Sequence, residues 1–388
     1  MSNSSPPRPP GSVCIDAGRF EQSPYFDCYA NPDTVLGVAA NRYYPDDNGE
    51  DTEETYRALR QQAVLFDVPE KPWQIEGPDV VPFLERIFAR PIASLAQGRG
   101  RYAIACTGDG GIFMDGILFK LADNRYWYVQ PDGAFEEWLA AHKGKFDVRI
   151  SDPRSRVLQI QGPNSAKIMS AATSGAIDES LKYFGAGYFD INGQSLFVSR
   201  TGWTGELGYE IYADGASTDH KRLWDDLFAA GSPQGMVFGS IKAMGIRRIE
   251  AGILDNLSDF DMSMTPFEAG LGAFIDLDKA DFIGRSALLE ASRESLLLGI
   301  KCPTDRPFRN TEIIDGVTCV GRVTASAWSP YLECGIGYVR FSKAADWEGR
   351  VLSMKTRQGG LVSCEIVALP FYDSEKRIPR GLQPVQSD

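Results

Sequence analysis

One short pattern does most to limit what this chain can fold into. The stretch "KPWQIEGPDVVPFLERIFA" reads as strand, turn and helix, and "SRVLQIQGPNSAKIMSAA" (155–172) repeats that order around the same Q-I-x-G-P core. Glycine followed by proline breaks a strand sharply, and the apolar spacing beyond it is helical. Two such units imply two related strand–turn–helix starts, each opening one half of a split domain.

The segments around these units fill in the halves. "RYAIAC", "IFMDGILFKL" and "RYWYVQ" read as strands joined by tight turns at Gly108–Gly111 and Ala122–Asn124. "YFDINGQSLFVSR" reads as a hairpin whose Asn192-Gly193 suits a type I′ turn. "YYPDDNGEDTEE" (43–54) reads as an acidic turn feeding a helix, and "TEETYRALRQQAVLFDV" (52–68) as that helix running into a strand. Further helices are predicted over about 217–231 and 239–252. From about residue 300 the pattern is short strands with frequent glycine, which predicts a small β-barrel. The fold class is therefore α+β with a C-terminal β-barrel domain. Residues 1–22 are expected to be a disordered tail, 23–295 two interleaved α+β domains, 296–375 the barrel, and 376–388 a tail.

Composition removes several function classes. A net charge of −12 disfavours nucleic-acid binding, which relies on basic surface. No apolar run approaches the roughly 20 residues of a membrane span, and the start "MSNSSPPRPPGSV" lacks a basic-then-apolar leader, so a cytoplasmic chain without a membrane partner is expected. Seven scattered cysteines, with no C-x-x-C pair, argue against a zinc site and a disulfide framework. With only two histidines, His142 and His220, acid–base work falls to carboxylates, tyrosine or lysine, and no metal centre is expected.

Three places carry the candidate chemistry. Asp115 lies in an otherwise apolar strand, where an unpaired carboxylate is costly to bury, so it faces either solvent or a pocket that uses its charge. "AMGIRRIEAGI" carries Arg247 and Arg248 on an apolar helix; adjacent helical residues point about 100° apart, so at most one is expected on the inner face, with a carboxylate or an anionic ligand as partner. In "RTGWTGELGYEIY" (200–212), strand alternation puts Tyr209, Ile211 and Ala213 on one face and Glu210 and Tyr212 on the other, after a glycine-rich turn holding Trp203.

Together these segments resemble the glycine-cleavage T-protein (aminomethyltransferase) family, in the family's order and from about residue 23 to 372. "GGIFMDGILF" is similar to G-G-x-x-D-D-L-x-V, "RTGWTGELGYEI" to R-T-G-Y-T-G-E-D-G-F-E, "RRIEAGI" to L-R-L-E-A-G, "DFIGRSAL" to D-F-I-G-R-E-A-L, and "GRVTASAWSPYLECGIGYV" to the late G-x-[IV]-T-S-x-x-x-S-P stretch. The resemblance implies three domains around a central folate channel and tetrahydrofolate as one-carbon acceptor. It implies Asp115 as catalytic, and Tyr102, Gln130, Trp203, Glu210 and Arg248 as cofactor-binding. Glu210 is expected to take two N–H bonds from a 2-aminopyrimidinone edge with its two oxygens, the glycines bringing it and Trp203 against the flat ring. Tyr29 and Trp328 are offered as aromatic contacts for a cationic donor. Met114 stands where the family has an acidic residue, Leu207 likewise, and Asp373 where a basic one is common. The start "SPYF" and "VTASAWSP" look closer to dimethylsulfoniopropionate demethylases. The implied reaction is thus methyl transfer from a small sulfonium or methylated amine to N5 of tetrahydrofolate. Its alternatives are glycine-cleavage aminomethyl transfer with a lipoyl carrier protein, aromatic O-demethylation, or folate binding without catalysis.

Overall fold

The computed structural model describes residues 18–382, so most of the expected N-terminal tail and the last six residues lie outside it. Each of the two Gly-Pro units is a strand followed by a helix, one in each sheet, although the six-stranded sheet also takes in the earlier strand Ala63–Val68. Strand Lys71–Glu76 and helix Val80–Ile87 belong to a five-stranded sheet, and strand Ser155–Gln161 and helix Ser165–Ala172 to a six-stranded one. Gly77 (φ 140°) and Gly162 (φ 124°) both sit where a side chain is disfavoured. A Cβ there would also meet the Asp147 carbonyl at 2.4 Å and the Gln62 carbonyl at 2.7 Å.

The five-stranded sheet runs Gly100–Cys106, Ile112–Ala122, Arg125–Gln130, Lys71–Glu76, Arg149–Ser151. The six-stranded sheet runs Ala186–Ile191, Gln194–Ser199, Gly208–Asp214, Ser155–Gln161, Ala63–Val68, Met236–Phe238, its last pair parallel and the others antiparallel. One face of each sheet turns toward the other. Phe119, Leu121, Trp127 and Val129 from the first pack with Val64, Phe66, Val157 and Tyr212 from the second in one buried cluster. The outer faces are covered by helices: Val80, Phe83, Leu84 and Ile87 on the first, Leu223, Trp224 and Leu227 on the second.

The third unit is a closed six-stranded barrel: Leu297–Cys302, Cys334–Phe341, Thr318–Ser329, Glu312–Asp315, Val351–Lys355, Leu361–Val367, and back to Leu297–Cys302. The α+β class with a C-terminal barrel is thus the observed architecture. One element differs from the sequence reading. Part of the expected acidic turn, residues 43–47, belongs to a strand (Arg42–Asp47) paired with Val35–Ala39, while the helix starts at Thr52 as expected, capped by the Asp51 carboxylate on the Glu53 and Glu54 N–H groups. The pairing strand supplies the ladder bonds that override a turn-rich composition. No helix among the described residues is long and apolar enough to cross a membrane.

Candidate functional site

Strand alternation decides which side chains enter the space between the sheets. In Ile112–Ala122 it puts Asp115 on the side of Ile117, Phe119 and Leu121, and Met114 on the opposite side among Phe83, Ile87 and Phe135. On the other sheet the register aligns Phe66, Gln159, Glu210 and Ser199 in one row across four strands. Asp115 and Glu210 therefore lie on the facing sides of the two sheets.

Asp115 is buried, 7% exposed, which excludes the solvent-facing alternative. The Tyr102 hydroxyl donates to its Oδ2 at 2.8 Å, and Asn256 Nδ2 donates to its Oδ1 at 3.1 Å. Burial pushes its carboxyl up to about 6, and the two donors pull the other way. The group thus changes charge near neutrality while its orientation is fixed from both sides. The Tyr102 ring is itself held edge-on against Phe274, at 4.7 Å between centroids.

Glu210 is held more tightly. Its Oε2 accepts from Thr201 Oγ1 (2.6 Å), the Tyr212 hydroxyl (2.7 Å) and Ser199 Oγ (3.3 Å), and its Oε1 accepts from Gln159 Nε2 (3.1 Å). This corrects the expected two-oxygen clamp. Three hydroxyls occupy Oε2, so only Oε1 keeps acceptor capacity for a ligand. The glycines also serve a different purpose from the one expected. A Cβ at Gly202 or Gly208 would lie 2.1 or 2.3 Å from the Gln161 amide. That amide donates to the Thr201 carbonyl and accepts from Thr204 Oγ1 at 2.8 Å, so the hairpin closes around a buried glutamine.

Both arginines of the helix Ile241–Glu250 are buried, against the expectation of at most one. The helix is packed on several sides, against the helix Thr52–Gln61, the strand Arg42–Asp47 and the barrel strand Thr318–Ser329. Arg247 Nε donates to Glu206 Oε1 at 2.7 Å and its NH1 lies 3.8 Å from Glu250 Oε2, while Arg248 NH1 donates to Asp259 Oδ2 at 2.6 Å. Arg248 also sits 5.1 Å from the centre of the half-buried Trp203 ring, so it supports that ring while its charge is matched by a carboxylate.

The remaining expected residues separate from this group. Gln130 faces the far side of its sheet, accepting from the Trp73 indole at 3.0 Å and donating to the Gly133 carbonyl at 2.8 Å. Tyr29 stacks on Phe238 at 4.7 Å in the apolar cluster on the outer side of the six-stranded sheet. Trp328 is 42% exposed on the barrel. Three buried polar groups were not anticipated: Asn256 on Asp115, Gln159 on Glu210, and Glu70, whose Oε1 accepts from the same Gln159 nitrogen at 3.1 Å. The glutamine interrupting "RVLQIQ" was the one visible signal among them.

Beside Tyr102 opens a cleft of about 1120 Å³, running past Leu207 and Tyr209 to Arg380–Leu382. Arg90, Arg99, Arg101, Lys167, Lys182 and Arg380 line it against Asp178 and Glu179. In a chain of net charge −12 this is a concentrated basic surface, the kind that attracts an anionic group.

The comparisons with known proteins agree with this architecture. A family model described as the GCVT N-terminal domain matches residues 11–279, and one described as the glycine cleavage T-protein C-terminal barrel domain matches residues 296–373. The aminomethyltransferase of Halothermothrix orenii is 34% identical over 330 residues, covering 82% of this chain and 90% of that protein. That of Streptomyces avermitilis is 33% identical over 335 residues, covering 82% and 89%. The glycine cleavage system aminomethyltransferase T from Bartonella henselae superposes with a TM-score of 0.82 at 25% identity, over 91% of this chain and 98% of that one. The fold and these relatives together define a folate-dependent transferase. The chain belongs to the glycine cleavage T-protein family, whose one-carbon acceptor is tetrahydrofolate. These relatives carry the name aminomethyltransferase; the nearer likeness expected to the dimethylsulfoniopropionate demethylases has no counterpart among them.

Proposed function

We propose that this chain transfers an aminomethyl-derived one-carbon unit from a lipoyl carrier protein to tetrahydrofolate, with Asp115 as the acid–base group. The observation that carries it is Asp115 itself: a buried carboxyl oriented by Tyr102 and Asn256 and held near 6. The relatives' names favour the aminomethyl donor, and the basic cleft beside Tyr102 suits an acidic partner or an anionic tail. The residues present fit a reduced pterin: Glu210 Oε1 retains acceptor capacity, Gln159 Oε1 and Glu70 Oε2 are buried without a partner among the described residues, and Trp203 offers an aromatic edge. When bound, tetrahydrofolate supplies N5 as the nucleophile. Asp115, ionised at the outset, would then have two tasks: to stabilise positive charge as the new bond forms, and to take up the proton released at N5 and pass it to the leaving nitrogen. Tyr102 and Asn256 keep both carboxyl oxygens in place, so no reorientation accompanies the charge change.

A second reading is methyl transfer from a small sulfonium or methylated amine. It draws on Leu207, an apolar side chain in the basic cleft at a position where the family is acidic. Anaerobic incubation with tetrahydrofolate and separate donors, with the folate product read by mass, distinguishes the two. Methylene-tetrahydrofolate formed with aminomethylated lipoyl protein, and lost in Asp115→Asn, is the expected result. Methyl-tetrahydrofolate formed only from dimethylsulfoniopropionate or a methylated amine would replace the first reading with the second.

A further inference from the structure

Asn256 reaches Asp115 from a loop outside any helix or strand, so its position has to be fixed by other means. The loop follows the helix Ile241–Glu250 and closes on itself. The Asp259 N–H donates to the Asp255 carbonyl at 2.8 Å, and the Leu257 N–H to the Phe260 carbonyl at 2.9 Å. Leu257, next to Asn256, sits at φ 68°, a left-handed conformation that a bulky residue rarely adopts. Its side chain is 56% exposed, so packing does not compel that conformation. Such strain persists only where the surroundings over-determine the backbone.

Those surroundings converge on the buried Asp259. Its Oδ2 accepts from Arg248 NH1 at 2.6 Å and from the Asp255 N–H at 2.9 Å, and its Oδ1 accepts from Thr324 Oγ1 at 2.7 Å. One carboxylate is thus pinned from the preceding helix, from its own loop and from the barrel. Thr324 is the extra residue where the barrel strands Thr318–Ser329 and Cys334–Phe341 shift register, between Val323 and Ala325. A bulge of this kind re-aims a side chain out of the ladder, here onto Asp259. The barrel also holds the root of the loop, because the buried Tyr338 hydroxyl lies 3.0–3.1 Å from the Arg248, Ile249 and Ile253 carbonyls.

We propose that Asp259 is a positioning residue, which carries the hold of the barrel residue Thr324 through Asn256 to the carboxyl of Asp115. This rests on the reading of Asp115 as the acid–base group. It gives the barrel a part in that chemistry, although the two side-chain donors on Asp115, Tyr102 and Asn256, both lie outside it. A donor on Oδ1 favours the ionised carboxyl, so loosening Asn256 raises the pH at which Asp115 takes up its proton. The other titratable groups facing Asp115 are Asp255, Tyr102 and Tyr128. Loss of the Asp259 charge alone would act in the opposite direction, since it leaves Arg248 uncompensated. Positioning and plain electrostatics therefore differ in sign.

The test is a difference proton titration of the ligand-free full chain, each protein against its own Asp115→Asn version, with circular dichroism as a fold control. The wild-type group is expected to titrate at about 6. Asn256→Ala should move it up by about one pH unit. Thr324→Val keeps shape and charge and removes only the hydroxyl donor. It should move the titration up by about half as much, and add nothing in the Asn256→Ala background. In turnover, Thr324→Val should lower kcat about 3- to 10-fold and leave the tetrahydrofolate KM within about twofold. A Thr324→Val titration that does not move, or that moves equally with and without Asn256, would overturn the proposal. So would a folded Asp259→Asn chain that titrates lower than the wild type, because Asp259 would then act by its charge. The titration needs no ligand. A wild type that titrates as expected but forms no folate product would therefore overturn the proposed reaction and leave the positioning standing.

Discussion

The helix Ile241–Glu250 and the row Glu70–Gln159–Glu210 both bury charge, and they treat it in opposite ways. On the helix each cation meets a carboxylate: Arg247 with Glu206 and Glu250, Arg248 with Asp259. Arg60 adds a second cation to Glu206 at 3.2 Å. In the row two acidic side chains share one neutral amide, and among the described residues neither carboxyl is in an ion pair, Arg42 reaching only the Glu70 main-chain carbonyl. A matched network holds segments together and tolerates no missing member. A row of like groups raises its own proton affinity and leaves polar atoms for something else to satisfy. Asp115 sits between these extremes, with two neutral donors and no counter-charge. The difference separates structure from chemistry more reliably than burial does, because all three places are buried or, at Glu70, half-buried.

The comparison breaks most visibly at Asp115. Asp115→Asn should lower turnover by about 10²- to 10⁴-fold, the range for loss of a positioned acid–base group, while tetrahydrofolate affinity stays within a few-fold. Its thermal midpoint should not fall. The folded chain holds a proton on Asp115 between the ordinary value of 3.8 and about 6 that the unfolded chain releases. The stability that protonated Asp115 contributes is therefore full below about pH 4 and lost as the pH rises to about 6, and the amide removes that loss. For the same reason kcat/KM, followed by product formation, should fall about tenfold per pH unit below about 6 if the ionised form is the reactive one.

The matched network should answer through stability instead. Arg247→Met leaves Glu206 and Glu250 buried with one cation fewer, and urea unfolding should report a loss of about 3–5 kcal/mol. Gly208→Ala drives a methyl group into the Gln161 amide and should cost about 1–3 kcal/mol in the same measurement. Trp328→Ala, at an exposed barrel position, should change stability by no more than about 0.5 kcal/mol and leave folate affinity unaltered.

Much of this was legible in the chain because it is written in local periodicity. Alternation separates Tyr209 and Ile211 from Glu210 and Tyr212, and each Gly-Pro pair ends a strand and leads into a helix. The glycine-rich short strands after residue 300 also form a barrel. What escaped depends on contacts distant in sequence. Asn256 meets Asp115 across 141 positions, and nothing beside it marks the meeting. The burial of both Arg247 and Arg248 follows from packing on several sides of one helix, which a single-face reading cannot anticipate. The saturation of Glu210 Oε2 needs three hydroxyls from neighbouring strands and the turn, each unremarkable in sequence. Gln130 and Tyr29 lie apart from Asp115 and Glu210, packed in the two outer clusters, because aromatic and amide side chains serve cores as readily as ligands.

Glu250 has one more consequence. Its carboxylate receives hydroxyls from Tyr56, from Ser329 on the barrel and from Tyr372 beyond the barrel, besides facing Arg247. Four stretches of chain thus converge on one side chain. A barrel transplanted from a relative would graft cleanly only if it brought hydroxyl groups at the positions of Ser329 and Tyr372. In chimaeras of this family, compatibility would then be decided at a single acidic residue of the recipient, distant in sequence from the joint but in contact with the barrel.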